Sequence, residues 1–332
     1  FGLVLDDLGE GIIVTNKKGD VVFTNEQASI ILHTADLSNT NIKKLDIPAL
    51  NYLFKRVKNK KRADIEFEVE TGKKNTQWVL GSMNQSKTTG EFILVVHDIT
   101  QLRQLNSMRR DFISNLSHEL RTPVSVIRAN SETLLDGALD NKKDAKVFAK
   151  AILHNSERLS LMVSDLIDLS RIEYGDLKLN IVPIDLDSFI EPFILLMKSL
   201  TQKKGITLSY KPAHKTKIKA DIQALERILT NLVDNAFKYS PDESFIEIST
   251  KQDDQNVRVM ISDNGIGISD TDKNHIFDRF YRAASARASH NKGSGLGLAI
   301  VKNLVNSLNG EVGVSSGDSG GSIFWFTLPS GK

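Results

Sequence analysis

The chain has 332 residues, 40% of them apolar and 25% charged, with a formal net charge of +2. Length suggests two or three domains, and the near-balanced charge gives no global nucleic-acid footprint. With no cysteine, disulfides, thiolate metal sites, iron–sulfur clusters and cysteine nucleophiles are excluded, and a reducing compartment is expected. No apolar run is long enough to span a membrane. The chain opens at Phe1, already inside an apolar pattern (FGLVL), and is read as a fragment, which leaves room for a membrane anchor upstream. No signal-peptide pattern is present.

Residues 1–100 alternate strand-like and short helix-like pieces. GIIVT and DVVFT flank the turn signal NKKGD, and NEQASIIL reads as a short helix. DIEFEVE alternates with period two, and WVLGSM and EFILVVHD follow. The expectation is a small antiparallel sheet with helices on one side. His33 and His97 read as structural rather than as haem ligands.

Residues 101–175 predict two long helices. Leu102, Leu105, Phe112 and Leu116 fall near a 3.5-residue repeat, with Arg109 in one seam position. After DGALDNKKD, the residues Phe148, Ile152, Asn155, Leu159, Met162, Leu166 and Leu169 repeat at alternating spacings of four and three. Two such stripes cannot bury themselves alone, so a homodimer forming a four-helix bundle is expected. On the first helix, in SNLSHELRTPVSVI, Ile113, Leu116, Leu120, Val124 and Ile127 cluster on one side at about 100° per residue. His118 lies nearly opposite, among Ser114, Thr122 and Ser125. The face is cleared of long charged side chains, as a docking surface would be. Pro123 removes an N–H and predicts a bend just after His118. Glu119 can bond an imidazole nitrogen and set its tautomer, and a neutral imidazole is a nucleophile near pH 7.

Residues 176–332 predict a mixed α/β layer. A helix over 222–239 has a core side of Leu225, Leu229, Leu232 and Ala236. Its other side carries Asn231, Asn235 and Lys238, with Arg227 one turn before, a stripe suited to a polyphosphate. An amide oxygen can complete the coordination of Mg²⁺ without repelling phosphate. VRVMISD ends in Asp263, able to accept from an exocyclic amine, and Gly265 and Gly267 allow close approach of a flat base. KGSGLGLAI places Gly293, Gly295 and Gly297 at a helix start, where backbone N–H groups favour phosphate. Neither a Walker A loop nor GxGxxG after a strand is present. Between them lie FDRFYR and AASARASHNK, the latter read as a mobile lid.

In this order the motifs resemble those of two-component sensor histidine kinases, of the phosphate-regulon and cell-wall-regulating types. SHELRTP matches the H box, NLVDNAFKYS the N box, DNGIGI and GSGLGLAI the two glycine boxes, and FDRFYR the F box. The resemblance implies a multidomain α+β chain in three parts. A PAS-like sensor (1–100, with HDIT as exit motif) precedes a dimerising hairpin (101–175). An α/β two-layer sandwich that binds ATP (176–332) closes it. It implies His118 as phosphoacceptor, Glu119 as its adjacent acid and Asn235 as Mg²⁺ ligand. Asn231 and Lys238 would lie near the phosphates, Tyr239 by the adenine and Asp263 on it. Gly265, Gly267, Gly293, Gly295 and Gly297 would shape the pocket, and Arg282 would meet the γ-phosphate. Further implications are phosphotransfer to a response regulator's receiver domain, dephosphorylation of that regulator by a water that Thr122 positions, and a cytoplasmic portion of a membrane-anchored bacterial protein. No direct nucleic-acid partner and no membrane contact within this fragment are expected. The rival readings are a gyrase-like ATPase, which needs no phosphoacceptor, and an inactive sensor scaffold.

Overall fold

The computed structural model describes residues 9–331 except 36, 39, 72–75, 174, 202–203, 214–215, 254, 284–285, 287–293 and 318–319. The chain divides into two compact units, Phe1–Asp111 and Phe112–Lys332.

The first unit holds β1 (Gly11–Thr15), β2 (Val21–Thr24), α1 (Glu26–Ile31), α2 (Pro48–Lys60), β3 (Arg62–Glu70), β4 (Thr76–Gln85) and β5 (Phe92–Asp98). The strands form one antiparallel sheet in the order β2-β1-β5-β4-β3. The five strands fall on the segments that the sequence marks as strand-like, and DIEFEVE lies in β3. The helix α2 was not legible, because its lysine-rich outer face dilutes the apolar pattern; Leu50, Leu53, Phe54 and Val57 nonetheless bury one stripe on the sheet. His33 and His97 are exposed. The His33 ring bonds Gln77 at 2.7 Å, and His97 lies 3.9 Å from the Glu10 carboxylate.

The HDIT segment starts a helix, α3 (Thr100–Leu135). Asp98 Oδ1 accepts from Thr100 N–H at 2.8 Å, and the Thr100 hydroxyl accepts from Trp78 N–H at 2.9 Å. Arg103 on the first turn stacks over the Trp78 ring at 4.5 Å and pairs with Glu66.

Helix α3 continues past Pro123, where the sequence predicts a bend. The helix runs through it for 36 residues, with the proline ring buried. Thr122 Oγ1 bonds back to the His118 carbonyl at 3.3 Å, a contact of a kind that slightly destabilises and often bends helices. The partner helix α4 (Lys142–Glu173) buries Met162 and Leu169 of the predicted seam and half-buries Phe148, Ile152, Asn155, Leu159 and Leu166. On the apolar side of α3, Leu116, Leu120 and Ile127 are half-buried, whereas Ile113 and Val124 remain exposed.

The rest of the second unit contains β6 (Val182–Asp185), α5 (Leu186–Thr201), β7 (Thr207–Lys211), β8 (Lys217–Ala220), α6 (Ile222–Tyr239), β9 (Phe245–Gln252), β10 (Asn256–Asp263), α7 (Asp270–Lys273), α8 (Gly297–Ser307), β11 (Val312–Ser316) and β12 (Ser322–Pro329). Its main sheet has the order β11-β12-β10-β9-β7, with only β7 and β9 parallel; β6 and β8 pair separately. Helix α6 starts where Asp221 accepts from Ala224 N–H at 2.9 Å, a side-chain N-cap. It buries Leu225, Leu229, Leu232 and Ala236, as its pattern predicts, together with Ala224, Ile228 and Val233. Helices α6 and α8 share one core with the inward residues of β9, β10 and β12.

Leu229 is fully buried in that core. Leu229→Ala is expected to cost about 2–5 kcal/mol, whereas truncating exposed Leu195 on α5 changes stability by less than about 0.5 kcal/mol. Denaturant unfolding of the two variants measures the contrast.

Candidate functional site: a nucleotide cavity walled by a hairpin helix

With its apolar stripe turned into the core, α6 presents its polar side outward. A cavity of about 380 Å³ opens there. Asn231, Asn235, Lys238 and Tyr239 line it from α6, Asp263 from the end of β10, Gly267 from the loop after it, Gly295 from just before α8 and Gly297 from its first residue. Arg282 lines it as well. These residues come from four places in the sequence and meet in one concavity of a size suited to a small ligand.

Asp263 is 8% exposed. Its Oδ1 accepts two backbone bonds, from Gly265 N–H at 2.8 Å and Ser322 N–H at 3.2 Å. Oδ2 takes no partner among the described residues, so one oxygen is fixed and the other is left for a ligand donor. Burial raises this carboxyl above the ordinary aspartate value, against the pull of those two N–H groups. Gly265 does not line the cavity but is needed beside it: a Cβ there would stand 2.6 Å from the Tyr239 carbonyl and 2.8 Å from Asp263 Oδ1. Ser322, which sequence reasoning missed, holds Asp263 from the neighbouring strand. No local motif marks it, because the contact exists only through the pairing of β10 with β12.

The helix α8 begins at the cavity with no side-chain cap. Its first-turn N–H groups are therefore open to an anion. Gly297 gives Asn231 room, since a Cβ would fall 2.7 Å from Asn231 Oδ1. Gly267 and Gly295 line the cavity with φ of +70° and +73°. Gly293 and most of the expected lid lie outside the described residues.

The cations do not stand as the bare stripe predicted. Arg227 lines the cavity already paired, with Asp165 at 2.5 Å and Asp168 at 3.3 Å, both on α4. The sequence could not show this, because those carboxylates lie some 60 residues upstream. Lys238 pairs with Asp234 at 2.5 Å, four residues back on α6. Arg282 donates to the Ala286 carbonyl at 2.9 Å. Asn231 Nδ2 donates to the Arg227 carbonyl at 2.8 Å. The side chain of Asn235 lines the cavity and takes no hydrogen bond among the described residues. Burial raises the Asp165 carboxyl; Arg227 opposes the rise and neighbouring Asp168 adds to it.

The hairpin helix α4 is thus one wall of the cavity, through Arg158, Leu161, Met162 and Asp165. Below that wall, Phe112 of α3 meets Phe280 at 5.5 Å, and Arg279 stacks over Phe112 at 5.5 Å while pairing with Glu173. His118, Glu119 and Thr122 do not line the cavity. His118 and Thr122 are exposed on α3. Glu119 reaches the cavity indirectly, through a 3.1 Å ion pair with Arg158.

A buried carboxylate with one unpartnered oxygen destabilises the fold in its charged form. Because its pKa is raised when folded, the cost is absent near the ordinary value of 3.8 and grows as pH rises through the raised value. Asp263→Asn is expected to be more stable than the native chain at pH 7, with the difference vanishing towards pH 4. The same variant loses at least about tenfold in affinity for an adenine nucleotide, whose amine would face an amide N–H in place of an oxygen. Thermal melts across pH and a nucleotide titration check the two arms.

Comparison with known proteins assigns this architecture. The His Kinase A (phospho-acceptor) domain profile matches residues 108–175, and the histidine kinase-, DNA gyrase B-, and HSP90-like ATPase profile matches residues 220–332. The sensor-like histidine kinase SenX3 of Mycobacterium tuberculosis is 31% identical over 335 residues, covering 99% of this chain and 79% of SenX3. The solved Acinetobacter baumannii histidine kinase AdeS is 27% identical, with a TM-score of 0.54 over 65% of this chain and 98% of its own. Histidine kinase ThkA, solved in complex with response regulator protein TrrA, shares the fold over 98% of this chain and 97% of its own, at 20% identity and a TM-score of 0.57. An ATP-binding layer of this kind, joined to a histidine-bearing hairpin, is a protein-histidine kinase, and the chain belongs to the sensor histidine kinase family.

Proposed function

We propose that the chain autophosphorylates on His118 from ATP and passes the phosphoryl group to an aspartate of a response regulator's receiver domain. The observation that carries the residue assignment is the placement of His118. It is exposed on a helix face of small polar residues, and its neighbour Glu119 is tied by Arg158 to the nucleotide cavity. His118 attacks the γ-phosphorus in line; the bond to the β–γ bridging oxygen breaks and ADP leaves. The imidazole proton passes to Glu119. Lys238, Arg282 and the first-turn N–H groups of α8 stabilise charge on the transferring oxygens. Asp263 reads the adenine amine and Tyr239 lies by the base.

Asn235 is assigned as the protein ligand of Mg²⁺. A cavity-lining amide with no hydrogen-bond partner among the described residues suits a cation that takes most of its coordination from phosphates and water. Among the described residues no group of three acidic or histidine side chains would hold a metal without them. When bound, the ion neutralises phosphate charge.

The homodimer is supported by apolar side chains of α4 that one copy leaves in water: Leu153, Val163 and Ile167 are exposed, and a four-helix bundle would cover such side chains. Three parts are proposed: a PAS-like sensor over 1–100, a dimerising hairpin over 101–175 and a catalytic ATP-binding domain over 176–332. A PAS-like assignment rests on the five-stranded antiparallel sheet and the capped exit at Asp98 and Thr100. Membrane anchoring belongs to the same reading; no helix among the described residues is long and apolar enough to cross a membrane. Thr122 is proposed to place water against the receiver's phospho-aspartate, giving the reverse activity.

Incubation with γ-³²P-ATP and magnesium is expected to give acid-labile, alkali-stable label that His118→Gln abolishes. Thr122→Ala is expected to keep the label and to slow dephosphorylation of the receiver by about tenfold or more. Label retained in His118→Gln would refute the phosphoacceptor, and an unchanged dephosphorylation rate would refute the role of Thr122.

A further inference from the structure

The ion pairs around the cavity are not equivalent. Arg227 is held by two carboxylates of α4, and Lys238 by a carboxylate of its own helix. Arg158 has a single bond: its Nη2 donates to Glu119 Oε2 at 3.1 Å. Its side chain is only 16% exposed, and its Nε–H, like those of Arg227 and Arg282, is buried without an acceptor; what sets Arg158 apart is that one carboxylate oxygen is its sole partner among the described residues. A guanidinium carries five donors, so this one is both desolvated and undersupplied with acceptors, a state that favours any anion that can reach it. It lines the nucleotide cavity beside Asn231, Asn235 and Asp165.

Its partner is the more telling half. Glu119 follows His118 directly, and successive residues on a helix diverge by about 100°. A carboxylate drawn across to α4 is engaged there rather than on the imidazole. Releasing it requires Arg158 to find another anion, and a polyphosphate in the cavity is one of higher charge.

We propose that Arg158 is a positioning residue shared between Glu119 and the polyphosphate, so that nucleotide binding frees Glu119 to engage His118. The proposal rests on the reading of Glu119 as the proton acceptor for His118. It makes Glu119 a competitor of the nucleotide. Neutralising an acid outside the cavity should therefore tighten binding inside it, and only while Arg158 is present.

The test is a double-mutant cycle on the full chain, titrated with the magnesium complex of the non-hydrolysable ATP analogue AMPPNP by calorimetry. Glu119→Gln is expected to bind the analogue about fivefold more tightly than the native chain, and Arg158→Gln about fivefold more weakly. In the Arg158→Gln background, Glu119→Gln is expected to change nothing. A merely structural Arg158 would weaken binding without making Glu119→Gln tighten it. Equal effects of Glu119→Gln in both backgrounds, or no tightening in the native background, overturn the proposal. Should Arg158→Gln fail to fold, as judged by its melting transition, Arg158→Lys replaces it and must shrink the tightening; an undiminished effect overturns the proposal. Labelling of His118 in Glu119→Gln is read separately. Label at the native rate would reject Glu119 as proton acceptor, while the affinity cycle still decides whether Arg158 is shared.

Discussion

The apolar stripe of α6 has to be covered, and most of the site follows from how it is covered. Seven side chains of this helix are buried in the core shared with α8 and the sheet. At about 25 cal/mol per Å² of apolar surface removed from water, that burial leaves the helix no freedom to rotate. The outward direction of Asn231, Asn235 and Lys238 is then fixed without a single contact to a ligand. The sheet holds Asp263 at the end of β10 by the same logic: Val257, Val259 and Ile261 point inward, and alternation carries the carboxylate to the same side.

The cations of the cavity are already engaged, though not saturated, by partners within the protein. Arg227, Lys238 and Arg158 each face a carboxylate. A polyanion entering the cavity therefore exchanges partners rather than filling a vacancy. Part of the attraction between phosphate and guanidinium is spent in separating existing pairs, and the affinity that remains depends on which pairs yield. The pairs that cross to the hairpin tie the histidine-bearing element to the nucleotide layer, so partner exchange and movement of the hairpin draw on the same free energy.

The sequence made the local elements and the inward faces readable, because those depend on periodicity alone. GIIVT, FILVVHD, the seam of α4 and the core side of α6 appear where the apolar spacing puts them. The helices α2 and α5 escaped notice. In α2 a run of lysine and asparagine masks the stripe, and the α5 sequence LDSFIEPFILLM carries a proline inside the helix. The glycine boxes were legible because close approach leaves a compositional trace. What could not be read was pairing at long range: Arg227 with Asp165, Glu119 with Arg158, Ser322 with Asp263. A lone arginine on a helix looks the same whether it faces water, phosphate or an aspartate on another helix.

Pro123 leaves one rung out of the ladder of α3. The carbonyl of Glu119 has no N–H four residues on to receive, and the Thr122 hydroxyl competes for the carbonyl just before it. The helix persists because its surroundings bury the ring, not because its own bonding is complete. Opening that turn costs one hydrogen bond less than opening any other turn of the helix interior. The segment carrying the histidine and its acid can thus shift its backbone by small amounts while the turns on either side stay wound. A reacting imidazole must be rigid enough to aim and compliant enough to be approached, and one absent amide hydrogen supplies the compliance at the level of a single peptide group.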